Sequence, residues 1–390
     1  MVTSMRKELG VGIVGGGISG LAAAIFLRRD GHRVTLFERA ATLHSAGTGI
    51  LLQPAGLDVL RRLGLEAGAL ARGFAIERVL AQARTGATIL ELRYAGLAAG
   101  GHALGIRRPA LAAVLLEAAR DAGTVIRFAA PVDAMREEDD GVELLAAGES
   151  AGRFDLALVC DGLGSRLRAQ IEPARVKPHA FGVYSVVVPM PAGLATNTLV
   201  QRLDGVRDAA GLLPIGRDSS GSPLLSFFWN ARERDVPRVE GAGFEAWTRR
   251  IETFCPEARE FLPALGAFAK LTYYKTAEVR MPRWHRARLL VMGDAAHALD
   301  PHLGLGATMA LLDAEMLAQC MRESPGDVPV ALGAYESRRR RGMAPYSRVS
   351  RVWSTLDHAG LVTLRRRMFH AAARGPRFMR QRMLRYVSGY

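Results

Sequence analysis

Three stretches of this 390-residue chain combine residue types and spacings that could do chemistry. In the first, the apolar run Val11–Val14 leads into Gly15-Gly16-Gly17-Ile18-Ser19-Gly20, and Glu38, followed by Arg39, comes 18 residues after Gly20. Gly15 permits a tight turn, Gly17 lets the backbone approach a pyrophosphate, and Gly20 lets a helix pack closely on a strand. The N–H groups and positive dipole end of that helix would face the phosphates, and Glu38 is placed to accept hydrogen bonds from a ribose. In the second stretch, the apolar run Asp155–Cys160 ends on Asp161-Gly162-Leu163-Gly164-Ser165-Arg166-Leu167-Arg168. In the third, Leu289–Met292 ends on Gly293-Asp294-Ala295-Ala296-His297, and Pro301 and Gly304-Leu305-Gly306-Ala307-Thr308 follow. A carboxylate closing a buried strand can accept hydroxyl groups. A glycine-rich helix start can offer backbone donors to a negatively charged edge.

These residues need elements to hold them. Val11–Val14 reads as a buried parallel strand, Leu21–Asp30 as a helix closed by Gly31, and Val34–Phe37 as the next strand. Leu9–Leu27 is 19 uncharged residues, long enough to imitate a membrane span. Six glycines crowd its first half, so a strand, tight turn and helix account for it better. Met309–Met321 is predicted as the helix that Gly304–Thr308 opens.

Composition narrows the class. Hydrophobic content of 49% with 23% charge excludes a disordered chain. Cys160, Cys255 and Cys320 are far apart and in no metal-ligand spacing, which argues against a disulfide framework or zinc site and fits a reducing, cytoplasmic setting. No HExxH and no Ser–His–Asp pattern is present, and no metal site is expected. The net charge of +14 is concentrated: from Tyr335 onward, 14 arginines face only Glu336 and Asp357, while the preceding body has 38 cations against 36 anions. Apolar residues interleave those arginines, predicting amphipathic C-terminal helices. They would pack on the body with solvated arginines, or alternatively meet an anionic membrane surface or a protein partner. Nucleic acid is not expected, because no recognition module accompanies the charge.

Taken together, the three stretches resemble the group A flavoprotein monooxygenases, the para-hydroxybenzoate hydroxylase-like family, from Gly12 to about Arg341. The resemblance implies an α/β fold: a Rossmann-like FAD-binding domain with an inserted antiparallel-sheet substrate domain and C-terminal helices. It implies FAD contacts at Gly15, Gly17, Ile18, Ser19, Gly20, Glu38, Arg39, Arg108 (in Arg108-Pro-Ala-Leu111), Asp161, Asp294, Pro301, Gly304, Gly306, Ala307 and Thr308. Leu305 and Thr308 depart from the family's usual Gln and Asn, which leaves the contacts at the flavin's pyrimidine edge open. No second GxGxxG follows, in keeping with a family in which NADH or NADPH reduces FAD transiently without a nicotinamide domain. The implied reaction passes oxygen from O2, through a flavin C4a-hydroperoxide, to a small aromatic or heteroaromatic substrate. N-hydroxylation, epoxidation or reduction on the same scaffold, and a non-catalytic flavin-binding protein, stay open as alternatives.

The expected organisation is an FAD-binding domain over 1–75, 103–175 and 276–334, a substrate domain over 76–102 and 176–275, and basic helices over 335–390. Strands are predicted at Phe181–Val188, Thr198–Leu203 and Leu224–Trp229. In the last of these, Leu224, Ser226 and Phe228 share one face and Leu225, Phe227 and Trp229 the other. One face should cover the flavin, and the sequence does not say which. Substrate candidates are Leu51, Tyr184, Leu213, Pro214 and Phe228, with Gly49 beside them. No catalytic residue is named. His297 is expected to fix backbone, while His44, His102 and His302 lie in loop-like stretches.

Overall fold

The computed structural model describes residues 8–43, 48–96, 101–204, 208–299 and 304–358. Its first sheet has six strands in the order His285–Arg286, Leu289–Val291, Leu156–Val159, Gly10–Val14, Arg33–Phe37, Val125–Arg127. All neighbours are parallel except the first pair. A parallel sheet is covered on both faces, so its strands are continuous apolar runs rather than alternating ones. Val11, Ile13, Leu156, Leu158 and Leu290 are accordingly all fully buried. The helix Ile18–Arg29 packs against the helices Arg108–Asp121 and Gly306–Glu323. An antiparallel meander of Ala134–Glu137, Val142–Ala146 and Glu149–Phe154 lies over the strand Gly10–Val14. A Cβ on Gly12 would stand 2.7 Å from the Phe154 ring and 2.8 Å from Leu144. The Leu9–Leu27 run is thus strand, turn and helix, and among the described residues no helix is long and apolar enough to cross a membrane.

A second sheet has seven strands, in the order Thr272–Arg280, Arg175–Pro189, Pro223–Arg232, Asp208–Arg217, Thr198–Asp204, Arg78–Ala83, Thr88–Arg93. It is antiparallel except for one parallel pair, Thr198–Asp204 with Arg78–Ala83. The strand foreseen at Phe181–Val188 starts as early as Arg175. Pro178, which interrupts the sequence pattern, sits at the edge of a register shift, an irregularity that accommodates a residue without an N–H.

The two faces of this sheet have different neighbours. Tyr184, Leu212, Leu225, Phe227 and Trp229 form a core with Trp247, Ile251, Phe254 and Leu262 from the helical segment 236–265. Tyr184 stacks on Trp229 with centroids 5.3 Å apart, and each buried aromatic of this kind contributes about 1.5–3 kcal/mol through burial. Leu213, Leu224 and Phe228 face the other way, toward a small sheet of Gly49–Leu52, Ala103–Arg107 and Gly73–Ile76. A Cβ on Gly49 would lie 2.5 Å from both Ser226 Cβ and Ile215 Cγ2, and one on Gly105 would lie 2.0 Å from the Pro214 carbonyl oxygen. Glycine at 49 and 105 is what lets the small sheet lie flat against the large one.

The arginine-rich C-terminal segment enters one helix, Val328–His358, which begins before the first arginine of the run. Three of its first four arginines are paired: Arg338 with Glu323, Arg339 with Asp313 and Arg340 with Glu336. Arg340 also donates to the carbonyls of Met281 and Pro282 and lies 4.6 Å over the Trp284 ring. This stretch therefore anchors the helix to the body rather than offering a free basic patch. Residues 359–390, with eight of the fourteen arginines, lie outside the described residues.

Candidate cofactor cradle and substrate face

The glycine-rich turn has the geometry its spacing requires. Gly15 has φ +109°, a conformation that suits glycine, and a Cβ there would meet the Cys160 carbonyl oxygen at 2.4 Å. A Cβ on Gly20 would come within 2.1 Å of the Gly15 oxygen, so helix and turn touch backbone to backbone. Gly17 differs: nothing stands within 4 Å of where its Cβ would be. Its openness is therefore not filled by the protein, and it caps the Ile18–Arg29 helix, whose first N–H groups have no intrahelical acceptors. Ile18 and Ser19 are buried. Ser19 packs under the third stretch, since a Cβ on Gly293 would lie 3.1 Å from its Cβ and Oγ.

Glu38 closes the neighbouring strand and grips the turn. Its Oε2 accepts the Gly16 N–H at 2.7 Å and its Oε1 accepts the Ala40 N–H at 2.9 Å. Those bonds aim the carboxylate and leave lone pairs for ribose hydroxyls. Arg39 is exposed next to it. Arg108 is exposed at the start of its helix, and its N–H donates to the Thr48 carbonyl at 3.1 Å.

Asp161 carries a feature that the protein alone does not explain. Its Oδ1 is buried without a hydrogen-bond partner, and burial raises the pKa of its carboxyl, although Ser165, the Arg166 backbone and the Arg168 charge pull the other way. A buried acceptor left open costs about 1–3 kcal/mol, so a hydroxyl or N–H donor from a ligand suits this position. Arg168, also buried, donates to the Ala295 carbonyl at 3.2 Å and so ties the second stretch to the third. The thiol of Cys160 below is inert, pushed up to about 12 by burial.

In the third stretch, Gly293 (φ +61°) turns the chain into a short helix, Asp294–His297, whose Asp294 side is exposed. Asp294 Oδ1 lies 3.9 Å from where a Cβ on Gly306 would stand, and Gln53 Nε2 lies 3.8 Å from the equivalent point on Gly304. The helix start Gly306–Ala307–Thr308 is thereby flanked by a carboxylate and an amide. Thr308 is fully buried, and its Oγ1 accepts the Gln53 N–H at 3.0 Å, while the Tyr94 hydroxyl donates to Gln53 Oε1 at 2.8 Å. Leu305 points into the core. Both departures from the family pattern are therefore side chains turned inward, and the helix start keeps its backbone donors. Pro301, His302 and His44 lie outside the described residues.

Sequence reasoning missed Gln53 and Tyr94, and it missed a buried cluster below Asp294. Asp313 accepts the Gly293 N–H at 3.2 Å and Arg339 Nε at 2.6 Å, and His297 Nε2 stands 2.8 Å from it. Burial alone would raise the Asp313 pKa, but His297 and Arg339 outweigh it and bring it down to about 2. Separations of 16 and 26 residues between these three carry no sequence signal; only the fold joins them. His297 does hold backbone geometry, through this carboxylate.

The substrate candidates divide between the two faces of the large sheet. Leu213 and Phe228, with Val187, lie on the face toward the small sheet, where Leu51 and Phe74 of that sheet pack against them. Phe228 lies across Gly211, where a Cβ would come within 1.8 Å of its ring. Pro214 is buried opposite Leu225, and only its carbonyl reaches the small sheet, at Gly105. Tyr184 is a correction: it belongs to the helix-covered face, where its hydroxyl bonds Glu240 at 2.5 Å. Strand alternation puts it back to back with Phe228's neighbours, away from the cradle. Two polar residues share Phe228's face further along the strand, Asn230 and Arg232. Arg232 lies 5.8 Å over the Phe181 ring and, among the described residues, forms an ion pair with no carboxylate. Among the described residues there is also no cluster of metal-binding side chains.

Comparison with known proteins points to FAD as the cofactor. Residues 8–344 match the family described as an FAD binding domain. The chain is 26% identical over 368 residues to a 6-hydroxynicotinate 3-monooxygenase of Pseudomonas fluorescens, covering 89% of this chain and 91% of that one. It is 30% identical over 359 residues to a 3-amino-4-hydroxybenzoate 2-monooxygenase of Streptomyces platensis, covering 84% and 83%. Its fold matches a variant of Klebsiella pneumoniae HpxO complexed with FAD, with TM-score 0.81, 21% identity and 98% of each chain covered.

Proposed function

Because the chain belongs to the family of FAD-dependent group A aromatic monooxygenases, we propose that it uses NADH or NADPH and O2 to hydroxylate a small, electron-rich aromatic or heteroaromatic acid. The single observation that carries the cofactor's place is the open cradle. Gly17 has free space where a Cβ would stand, and Asp161 Oδ1 is a buried acceptor without a donor. When bound, FAD supplies the redox and oxygen-activating chemistry.

The chain's own residues do the rest. The Ile18 helix start takes the pyrophosphate, Glu38 takes the ribose with Arg39 beside it, and Asp161 and Asp294 accept hydroxyl groups of the cofactor. Arg108 stands at the rim. The backbone of Gly304, Gly306, Ala307 and Thr308, with Pro301 preceding, stabilises negative charge at the ring's edge. The face carrying Leu51, Leu213 and Phe228 excludes water and supports the substrate ring. Arg232 on the same face suits an anionic substituent, and two relatives named above act on hydroxylated ring acids, 6-hydroxynicotinate and 3-amino-4-hydroxybenzoate. The strands of 76–102 and 176–275 make the substrate unit, and 1–75, 103–175 and 276–334 the FAD unit.

The test is to purify the full chain, record its visible spectrum, identify the released cofactor by mass, and follow NADH and NADPH oxidation with a panel of hydroxylated pyridine and benzoic acids. The expected result is a yellow protein releasing FAD, with oxidation stimulated by members of the panel. A protein that takes up FAD but shows no stimulation by any aromatic compound would refute the catalytic reading.

A further inference from the structure

Asp294 sits on a turn of five residues, Gly293–His297, and both ends of that turn reach one carboxylate. The Gly293 N–H donates to Asp313 Oδ2 at 3.2 Å, and His297 Nε2 lies 2.8 Å from the same oxygen. The other oxygen, Oδ1, accepts Arg339 Nε at 2.6 Å. Arg339 comes from the C-terminal helix and also reaches the Met309 carbonyl at 3.5 Å, in the first turn of the helix opened by Gly306. Asp313 is fully buried, and Arg339 and His297 are nearly so. A second grip lies beside the first. Glu336, also on the C-terminal helix, accepts the Trp284 N–H at 2.8 Å, and the Trp284 ring lies 4.7 Å from that of His297.

Asp313 touches no open part of the cradle, so its charge is not available to a ligand. What it controls is where the turn sits. A carboxylate without its cation in a buried site must move or take up a proton: movement shifts both ends of the turn, and a proton weakens the charge that holds them. We infer that the Asp313–Arg339 pair is a positioning device that sets Asp294 for the cofactor, so that the C-terminal helix controls FAD affinity from outside the cradle. This rests on the reading that Asp294 meets FAD.

The experiment uses the full chain, freed of flavin and titrated with FAD by fluorescence quenching. It adds the visible circular dichroism of the bound flavin and the melting of the apoprotein. Arg339→Met should weaken FAD binding at least about tenfold, the equivalent of one charged hydrogen bond lost, and change the dichroism of the bound flavin. Arg339→Lys, which keeps the charge, should restore most of the affinity and the spectral signature. If Arg339→Met does not fold, Arg339→Lys against wild type is decisive: FAD binding a few-fold weaker at unchanged apoprotein melting is expected, because lysine keeps the charge but not the guanidinium geometry, and wild-type FAD affinity would overturn the proposal. A purely structural pair would lower the melting of Arg339→Met or Arg339→Lys while leaving FAD affinity and dichroism at wild-type values, which would overturn the proposal. Asp294→Ala separates the two layers. If it binds FAD as wild type does, the reading of Asp294 fails; if it weakens binding while the Arg339 variants do not, only the positioning inference fails.

Discussion

Replacing Gly17 and Gly20 one at a time separates a ligand's requirement from the fold's. Gly17 has φ −78° and ψ −178°, open to any residue, and a Cβ would meet nothing within 4 Å. Alanine is a poorer helix cap than glycine by a few tenths to about 1 kcal/mol, but it regains about 0.4–1 kcal/mol by restricting the unfolded chain. The apoprotein of Gly17→Ala should therefore melt within a few degrees of wild type. With the pyrophosphate on this helix start, the new methyl occupies the ligand's space. Displacing two charge-assisted N–H contacts at about 1.5 kcal/mol each removes about 3 kcal/mol, or about 100-fold in Kd. Gly20→Ala should behave oppositely, because its Cβ would lie 2.1 Å from the Gly15 oxygen, which is backbone and cannot step aside. Overpacking of that kind costs about 1–3 kcal/mol of fold stability. The assay is thermal melting of both apoproteins alongside FAD titration. Wild-type FAD affinity in a folded Gly17→Ala protein would refute the placement of the pyrophosphate.

Further outcomes follow from the same geometry. Asp161→Asn removes a buried charge whose pKa burial raises, so the apoprotein should be at least as stable as wild type, while FAD affinity falls about tenfold for one lost charged hydrogen bond; melting and titration read both. Phe228→Ala should raise the substrate KM and uncouple NAD(P)H oxidation from product. Tyr184→Phe should cost about 1 kcal/mol of stability through the lost Glu240 bond and leave KM unchanged. The carboxyl groups of Asp313 and Glu336 are both held down to about 2: burial opposes ionisation, but His297 and Arg339 for the first, and His285, the Trp284 N–H and Arg340 for the second, prevail. Their stabilisation is present above the unfolded values of 3.8 and 4.5 and is lost as pH falls toward about 2, so acid melting should steepen in that window and flatten in Asp313→Asn.

The cofactor unit was legible because its signals are local. Gly15, Gly17, Gly20 and Glu38 fall within one βαβ unit, where the turn's sterics dictate residue type directly. Asp161 and Asp294 each end an apolar strand, and strand ends are visible in a sequence. Alternation in Leu224–Trp229 correctly separated the two faces of the large sheet. It could not say which face meets the cradle, because that is decided by Gly49 and Gly105, where the absence of side chains lets a distant small sheet approach. Tyr184 was misplaced for this reason. The Asp313–His297–Arg339 cluster and the Gln53–Tyr94–Thr308 network were hidden because each joins residues distant in the chain, and their partners are chosen by packing. The arginine run packs on the body as its pattern suggests, but its first arginines are not simply solvated: Arg338, Arg339 and Arg340 find Glu323, Asp313 and Glu336, partners only the fold brings beside them.

The central claim is that this cradle and face direct oxygen from O2 into an aromatic ring. The direct measurement is the mass of the product formed under ¹⁸O2 with whichever ring acid stimulates NAD(P)H oxidation. The product should carry one ¹⁸O atom, and none when the label is supplied as water. A product that is unlabelled under ¹⁸O2, or that takes its oxygen from water, would contradict it.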